Sequence, residues 1–251
     1  MEKIYPLRLA IVERAEVNFD GAPPAGWPFD IPCIRQISEE GLEFDQGVTI
    51  LVGENGSGKS TLVEAVAEAY GIDVRGGHGA RRYAVSEPKG PLGEAIELIL
   101  SDRPGPRVKR SAGFFLRSET AFEVFKFMSH HRVPGYGERH LGTLSHGEGY
   151  LQVLDASFAE PGLYLLDEPE APLSFHSCLT LIATLDQVVK GGSQVICATH
   201  SPLVAAMPGA RLLELGEHGI RETSWEDLEM VAHWRRYLDG PDRYLRHLLD
   251  G

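Results

Sequence analysis

Cysteine is scarce: Cys33, Cys178 and Cys197 are the only three in 251 residues, and they lie far apart. An odd, scattered set offers no disulfide framework and no Cys-x-x-Cys metal pair. Basic residues are also in short supply, 24 lysines and arginines against 36 acids, for a net charge of −12. A chain this acidic is a poor candidate for nonspecific adhesion to DNA or anionic lipid, although local basic patches survive. Long apolar runs are missing, since nothing approaches the roughly 18 residues of a membrane span. The amino-terminal apolar stretch Leu7–Val12 is short, broken by Arg8 and followed by no small-residue cleavage site. Neither a signal peptide nor direct membrane insertion is expected, and the expected setting is cytoplasmic. Repeats and heptad arrays are absent, which excludes a solenoid or a coiled coil. What remains, 43% hydrophobic and 24% charged residues, is ordinary globular composition, and the length suits one α/β domain carrying at most a modest subdomain.

Short β-rich apolar runs alternate with helical patterns. Strands are expected at Leu7–Val12, Val48–Val52, Ala95–Leu100, Gly113–Leu116, Leu163–Asp167, Gln194–Thr199 and Arg211–Leu215. Three of them are nearly continuous apolar runs, as central strands covered on both faces require. Helices are expected at Lys59–Tyr70, Glu119–His131, Gly147–Phe158, Leu173–Val189 and Trp225–Tyr237. Ser224, three residues before Asp227, reads as the N-cap of the last, and a short helix follows Gly240–Pro241. Gly21–Pro32 and Val74–Gly93 read as loops.

Four segments carry chemistry. Gly53-Glu54-Asn55-Gly56-Ser57-Gly58-Lys59-Ser60-Thr61 is a G-x-x-x-x-G-K-[ST] phosphate loop between a strand and a helix. Its glycines let successive N–H groups converge on phosphate oxygens, Lys59 would neutralise them, and Ser60 would ligate Mg²⁺. Asp167-Glu168 ends an apolar strand; Asp167 could hold Mg²⁺ directly or through water, and Glu168 could orient or deprotonate an attacking water. Leu144-Ser145-His146-Gly147-Glu148-Gly149 is expected to open a helix, whose exposed Ser145 and Gly147 amides make a second anion site. One nucleotide sandwiched between two chains would satisfy both helix starts. Finally, His200 leaves a central strand where α/β sheets place ligands, within reach of a γ-phosphate.

In this order the four segments resemble the ABC-type ATPases, over roughly Leu7 to Leu215. The chain is most similar to small single-domain bacterial ATPases with an AAA-type core, akin to a chromosome-organising head without its coiled coil. The resemblance implies an α/β P-loop fold with a mostly parallel central sheet flanked by helices. An N-terminal antiparallel β portion and a small helical signature subdomain complete it. It implies a single domain over residues 1–251, with the helical signature lobe near 94–160 and C-terminal helices at 224–251. Also implied are ATP with Mg²⁺ as cofactors, a homodimer formed on ATP binding, Ser145 and Gly147 acting in trans, and Lys59, Glu168 and His200 acting in cis.

Departures bear on the partner. Transport cassettes carry a glutamine between the phosphate loop and the signature; here there is none between Ser60 and Ser145. Glu119, with Arg117 nearby, is either its replacement or half of a surface ion pair. Ser174 stands where an aspartate is usual. Trp27 or Phe29 could carry the adenine, or pack on the core. A soluble ATPase switch acting on a protein partner is therefore preferred over a transporter's nucleotide-binding subunit or a scaffold with negligible turnover. A DNA-maintenance or defence ATPase is the remaining alternative. Arg75/Arg81/Arg82 and Arg107/Lys109/Arg110 could touch nucleic acid, but the overall charge disfavours it.

Overall fold

The computed structural model describes residues 10–19, 21, 23–79, 88–102, 112–123, 126 and 146–249. Two sheets organise it. A three-stranded antiparallel sheet has the order β2-β1-β5, from β1 (Val12–Val17), β2 (Leu42–Glu43) and β5 (Ile96–Leu100). The main sheet has seven strands in the order β10-β9-β3-β8-β7-β6-β4. These are β3 (Val48–Gly53), β4 (Gly77–His78), β6 (Gly113–Arg117), β7 (Leu163–Asp167), β8 (Gln194–Thr199), β9 (Arg211–Gly216) and β10 (Gly219–Thr223). β9, β3, β8, β7 and β6 run parallel, while β10 and β4 close the two edges in antiparallel fashion.

The apolar runs of β3, β7 and β8 serve two cores at once. Val48, Ile50, Val52, Leu166 and Cys197 face one side, under α4 (His146–Ser157) and α5 (Phe175–Lys190). Leu51, Leu165, Ile196 and Ala198 face the other, under α1 (Pro32–Glu40), α2 (Lys59–Tyr70) and the small antiparallel sheet. Period-2 alternation with both faces covered is why these strands are apolar almost throughout, with Thr49 the buried polar residue inside β3. α3 (Pro91–Ala95), α6 (Pro202–Ala205), α7 (Glu229–Asp239) and α8 (Asp242–Leu249) complete the fold. Among the described residues no helix is long and apolar enough to cross a membrane.

A buried side chain ties the two sheets together. Gln194 is fully buried; its Oε1 accepts from the N–H groups of Ile11 and Val12, both at 2.8 Å, and its Nε2 donates to Val12 O at 2.9 Å and Phe44 O at 2.8 Å. Both ends of the amide are thus satisfied by backbone of the other layer.

Several boundaries differ from the sequence reading. The first strand is Val12–Val17 rather than Leu7–Val12: its buried positions Val12, Ala15 and Val17 are separated by Glu13, Arg14 and Glu16, and a bulge between Val12 and Arg14 breaks the alternation that would have revealed it. Residues 7–9 lie outside the described set. Pro32, read as the end of a loop, is instead the first residue of α1, a position where its missing N–H costs nothing, and Gly41 closes the helix. The loop expected at Val74–Gly93 contains β4 and the start of α3. Ala95 belongs to α3, so β5 starts one residue later. α5 begins at Phe175 because Ser174 is its N-cap, accepting from Ser177 N at 3.4 Å. Ser224 caps nothing: its hydroxyl donates to Asp227 Oδ2 at 2.6 Å in a turn, and α7 starts only at Glu229. Of the helix expected at Glu119–His131, residues 121–123 and 126 are helical and 127–131 lie outside the described residues. Within the span 94–160, read as a helical lobe, β5 and β6 belong to the two sheets and α4 is the helix described.

Candidate functional site

Register brings the chemistry to one edge. β3 and β8 pair with Val52 beside Thr199, β7 and β8 with Asp167 beside Ala198, and β6 and β7 with Arg117 beside Asp167. The carboxyl ends of four parallel strands therefore deliver Gly53, His200, Asp167-Glu168 and Arg117 to the same place, where α/β sheets bind ligands.

The loop between β3 and α2 is held from both sides. A Cβ on Gly53 would sit 2.2 Å from the Leu215 carbonyl, and one on Gly58 would sit 2.6 Å from Cys33 Sγ. Gly56 and Gly58 have φ of 81° and 98°, open to glycine at no steric cost. The Cys33 thiol donates to Ser57 O at 3.1 Å, and burial pushes it up to about 11, so it remains a protonated donor. Lys59 is buried and donates to Gly53 O at 2.8 Å and Glu54 O at 3.0 Å. Burial lowers its pKa, and Glu168 and Asp167 oppose that shift. The Ser57 hydroxyl is buried with no hydrogen-bond partner among the described residues.

Ser60 Oγ donates to Asp167 Oδ1 at 3.0 Å. Asp167 is buried, and desolvation raises its carboxyl to about 6 against the pull of the Ser60 hydrogen bond. Next to it, Glu168 has φ 50°, the one positive value among described residues other than glycine. Its Oε1 lies 3.4 Å from His200 Nε2. A positive φ at a residue with a side chain is strained backbone, and here it falls at the residue whose carboxylate faces His200.

The sequence reading missed Glu170 and Cys33 and named Arg117 only as the neighbour of Glu119. Glu170 Oε1 accepts from Thr199 Oγ1 at 2.6 Å and from His200 N at 2.9 Å, so it fixes the histidine's backbone. Arg117 lies between Glu64 on α2 and Glu119, at 2.9 Å from each. Cys33 supports the loop as described. None belongs to a local pattern; only the Glu170 position, inside the Asp-Glu-Pro-Glu run, offered a signal. Glu119 forms the ion pair with Arg117 and is largely exposed.

Ser145 lies outside the described residues. Gly147 sits in the first turn of α4, and a Cβ there would meet Pro172 O at 3.6 Å and Ser177 Oγ at 3.9 Å, beside the turn that follows Glu168. Of the adenine candidates, Phe29 packs edge-to-face on Phe19 with centroids 5.1 Å apart, and Trp27 is 67% exposed. Of the two basic clusters, Arg75 is paired with Asp73 at 2.9 Å, and the other five residues lie outside the described set.

The residues present fit a magnesium–triphosphate. Among the described residues no group of three or more His, Cys, Asp or Glu could hold a metal alone. Ser60 and Asp167 supply two hard oxygens, the partial set that Mg²⁺ completes with water and phosphate oxygens. Curled glycines, a helix start, the buried Lys59 and the unpartnered Ser57 hydroxyl form a cradle for anionic oxygens.

Comparison with known proteins agrees. The family described as AAA domain matches residues 33–87. The cytochrome c biogenesis ATP-binding export protein CcmA of Maricaulis maris is 30% identical over 196 residues, covering 75% of this chain and 87% of that protein. The hemin import ATP-binding protein HmuV of Rhodopseudomonas palustris is 30% identical over 191 residues, covering 69% and 71%. Protein scarlet of Drosophila melanogaster is 27% identical over 187 residues, 61% of this chain and 26% of that one. With 30% identity over most of each of the two bacterial ATP-binding proteins, the chain belongs to the ABC-type ATPases.

Proposed function

We propose that the chain binds ATP with Mg²⁺ and hydrolyses it as a nucleotide-gated dimer. The observation that carries this reading is the alignment of Ser60, Asp167, Glu168 and His200 on one sheet edge, with Glu168 held in a positive-φ turn 3.4 Å from the histidine. Gly53–Thr61 hold the phosphates through backbone amides and Lys59, and Ser60 and Asp167 hold the cation. When bound, Mg²⁺ neutralises charge on the phosphate oxygens. Glu168 orients water and takes its proton, and His200 donates toward the γ-phosphate, steadied through its backbone by Glu170. Ser145 and Gly147 complete a second copy's site across the interface. Contacts to the γ-phosphate favour the closed dimer and are lost on hydrolysis, so the nucleotide sets the population of closed states.

A second reading rests on the relatives, two of which are named as export or import ATP-binding proteins: this chain would then drive a membrane permease. The absence of glutamine between Ser60 and Ser145 favours a different coupling surface, with a protein partner outside the membrane. Recovery of the ATP-trapped chain with membranes or without them separates the two.

The test is Glu168→Gln. It retains ATP, stops turnover and accumulates dimers in light scattering, whereas Lys59→Ala binds no nucleotide. A monomeric Glu168→Gln at saturating ATP refutes the dimer, and undiminished hydrolysis refutes the role of Glu168.

A further inference from the structure

The phosphate loop has two flanks. On one, β8 and then β7 follow β3, and His200, Asp167 and Glu168 gather there. On the other is β9, with Leu215 beside Gly53. A triphosphate whose terminal group faces Glu168 and His200 must cross the loop and carry its sugar and base toward β9. A cavity of about 700 Å³ follows that path, from His200 past residues 53–57 to a far wall that includes Pro32, His218, Met230 and Trp234.

The cavity is polarised. Its loop end is lined by residues 53–57, whose backbone amides suit anions. Its far end carries Glu217 and Glu229, which repel phosphate but accept from amino groups and sugar hydroxyls. Beside them on the same wall stand the Met230 thioether and the Trp234 indole, and Trp234 is 48% exposed. Trp27 and Phe29, the aromatics that the sequence suggested, do not line this cavity.

The wall is anchored to the strand beside the loop. Glu214, in register with Val52, is buried and accepts from Glu229 N at 3.0 Å, capping the start of α7. Trp225, just before α7, donates through Nε1 to Pro202 O at 2.8 Å, two residues beyond His200. α7 therefore presents Met230 and Trp234 at a fixed distance from the phosphate loop.

We propose that Trp234, backed by Met230, is the platform for the base of the bound nucleoside triphosphate. This rests on the ATP reading above and assigns its base subsite to the C-terminal helix. Stacking on an aromatic ring tolerates any base, so the platform supplies affinity while the carboxylates beside it favour bases carrying amino donors.

Calorimetric titration of the full chain with Mg²⁺·ATP and with Mg²⁺·tripolyphosphate tests it. Trp234→Ala weakens ATP by about tenfold, about 1.4 kcal/mol, leaves tripolyphosphate unchanged, and Trp234→Phe recovers most of the loss. The ligand-free melting temperature should stay near wild type, because the indole is half exposed. Unchanged ATP affinity in Trp234→Ala, or equal losses for both ligands, overturns the platform while leaving the ATP reading intact. A wild-type chain that binds neither ligand overturns the ATP reading and the platform with it.

Discussion

Gln194→Leu is the substitution for which the structure predicts a large cost from a small change in shape. Leucine fills nearly the same space, so transfer and cavity terms are minor. What is lost is the amide that satisfies four backbone groups: Ile11 N, Val12 N, Val12 O and Phe44 O. A buried polar group left without a partner costs about 1–3 kcal/mol, so four of them bound the loss between about 4 and 12 kcal/mol. Relaxation of β1, at the junction of the two sheets, and entry of water favour the lower end, about 4 kcal/mol. Against a total stability of about 5–15 kcal/mol, that leaves a marginal protein, and at this chain length it corresponds to a fall in Tm of about 8–16 °C. Urea unfolding by circular dichroism measures it directly. The control is Gln187→Leu, the same chemical change at an exposed position on α5, expected within about 0.5 kcal/mol of wild type. A loss at Gln194 below about 1 kcal/mol, or one no larger than at Gln187, would show that the amide does not join the two sheets.

Gly53→Ala places a methyl 2.2 Å from the Leu215 carbonyl, a backbone atom that cannot swing aside; β3 and β9 must part, at a cost of about 1–3 kcal/mol, and nucleotide affinity should fall with thermal stability. Equal Tm and affinity for the variant would contradict that packing. Glu68, on α2, accepts from Gly90 N at 2.8 Å, yet burial raises its carboxyl above the ordinary value. The folded state thus takes up a proton before the unfolded chain does, and this group adds stability as pH falls through its folded pKa, with the full gain present below the ordinary carboxylate value. Glu68→Gln keeps the acceptor and should flatten that part of the stability–pH curve; an unaltered curve would exclude Glu68 as its source.

Much of the site was legible because its signals are contiguous. The phosphate loop needs glycines at fixed offsets between a strand and a helix, and Lys59 and Ser60 follow by covalent geometry. Asp167-Glu168 and His200 end runs whose unbroken hydrophobicity marks central parallel strands. The boundary errors arose where the pattern was weak. Charged residues interleave the buried positions of β1, and Pro32 reads equally as a loop residue or as the first residue of a helix.

Sequence alone therefore determined the phosphate cradle, the acidic strand end and the layered α/β architecture, since each is written in neighbouring residues or in a short period. Only the tertiary structure decided which distant side chains serve them. Cys33 under Ser57, Glu64 on Arg117, Glu214 at the start of α7 and Gln194 across 183 residues to Ile11 have no local signature, and the hold of Glu170 on the His200 N–H is marked only by its place in the Asp-Glu-Pro-Glu run. Their partners are chosen by strand register, which lines up the ends of parallel strands through hydrogen bonds between segments far apart in the chain.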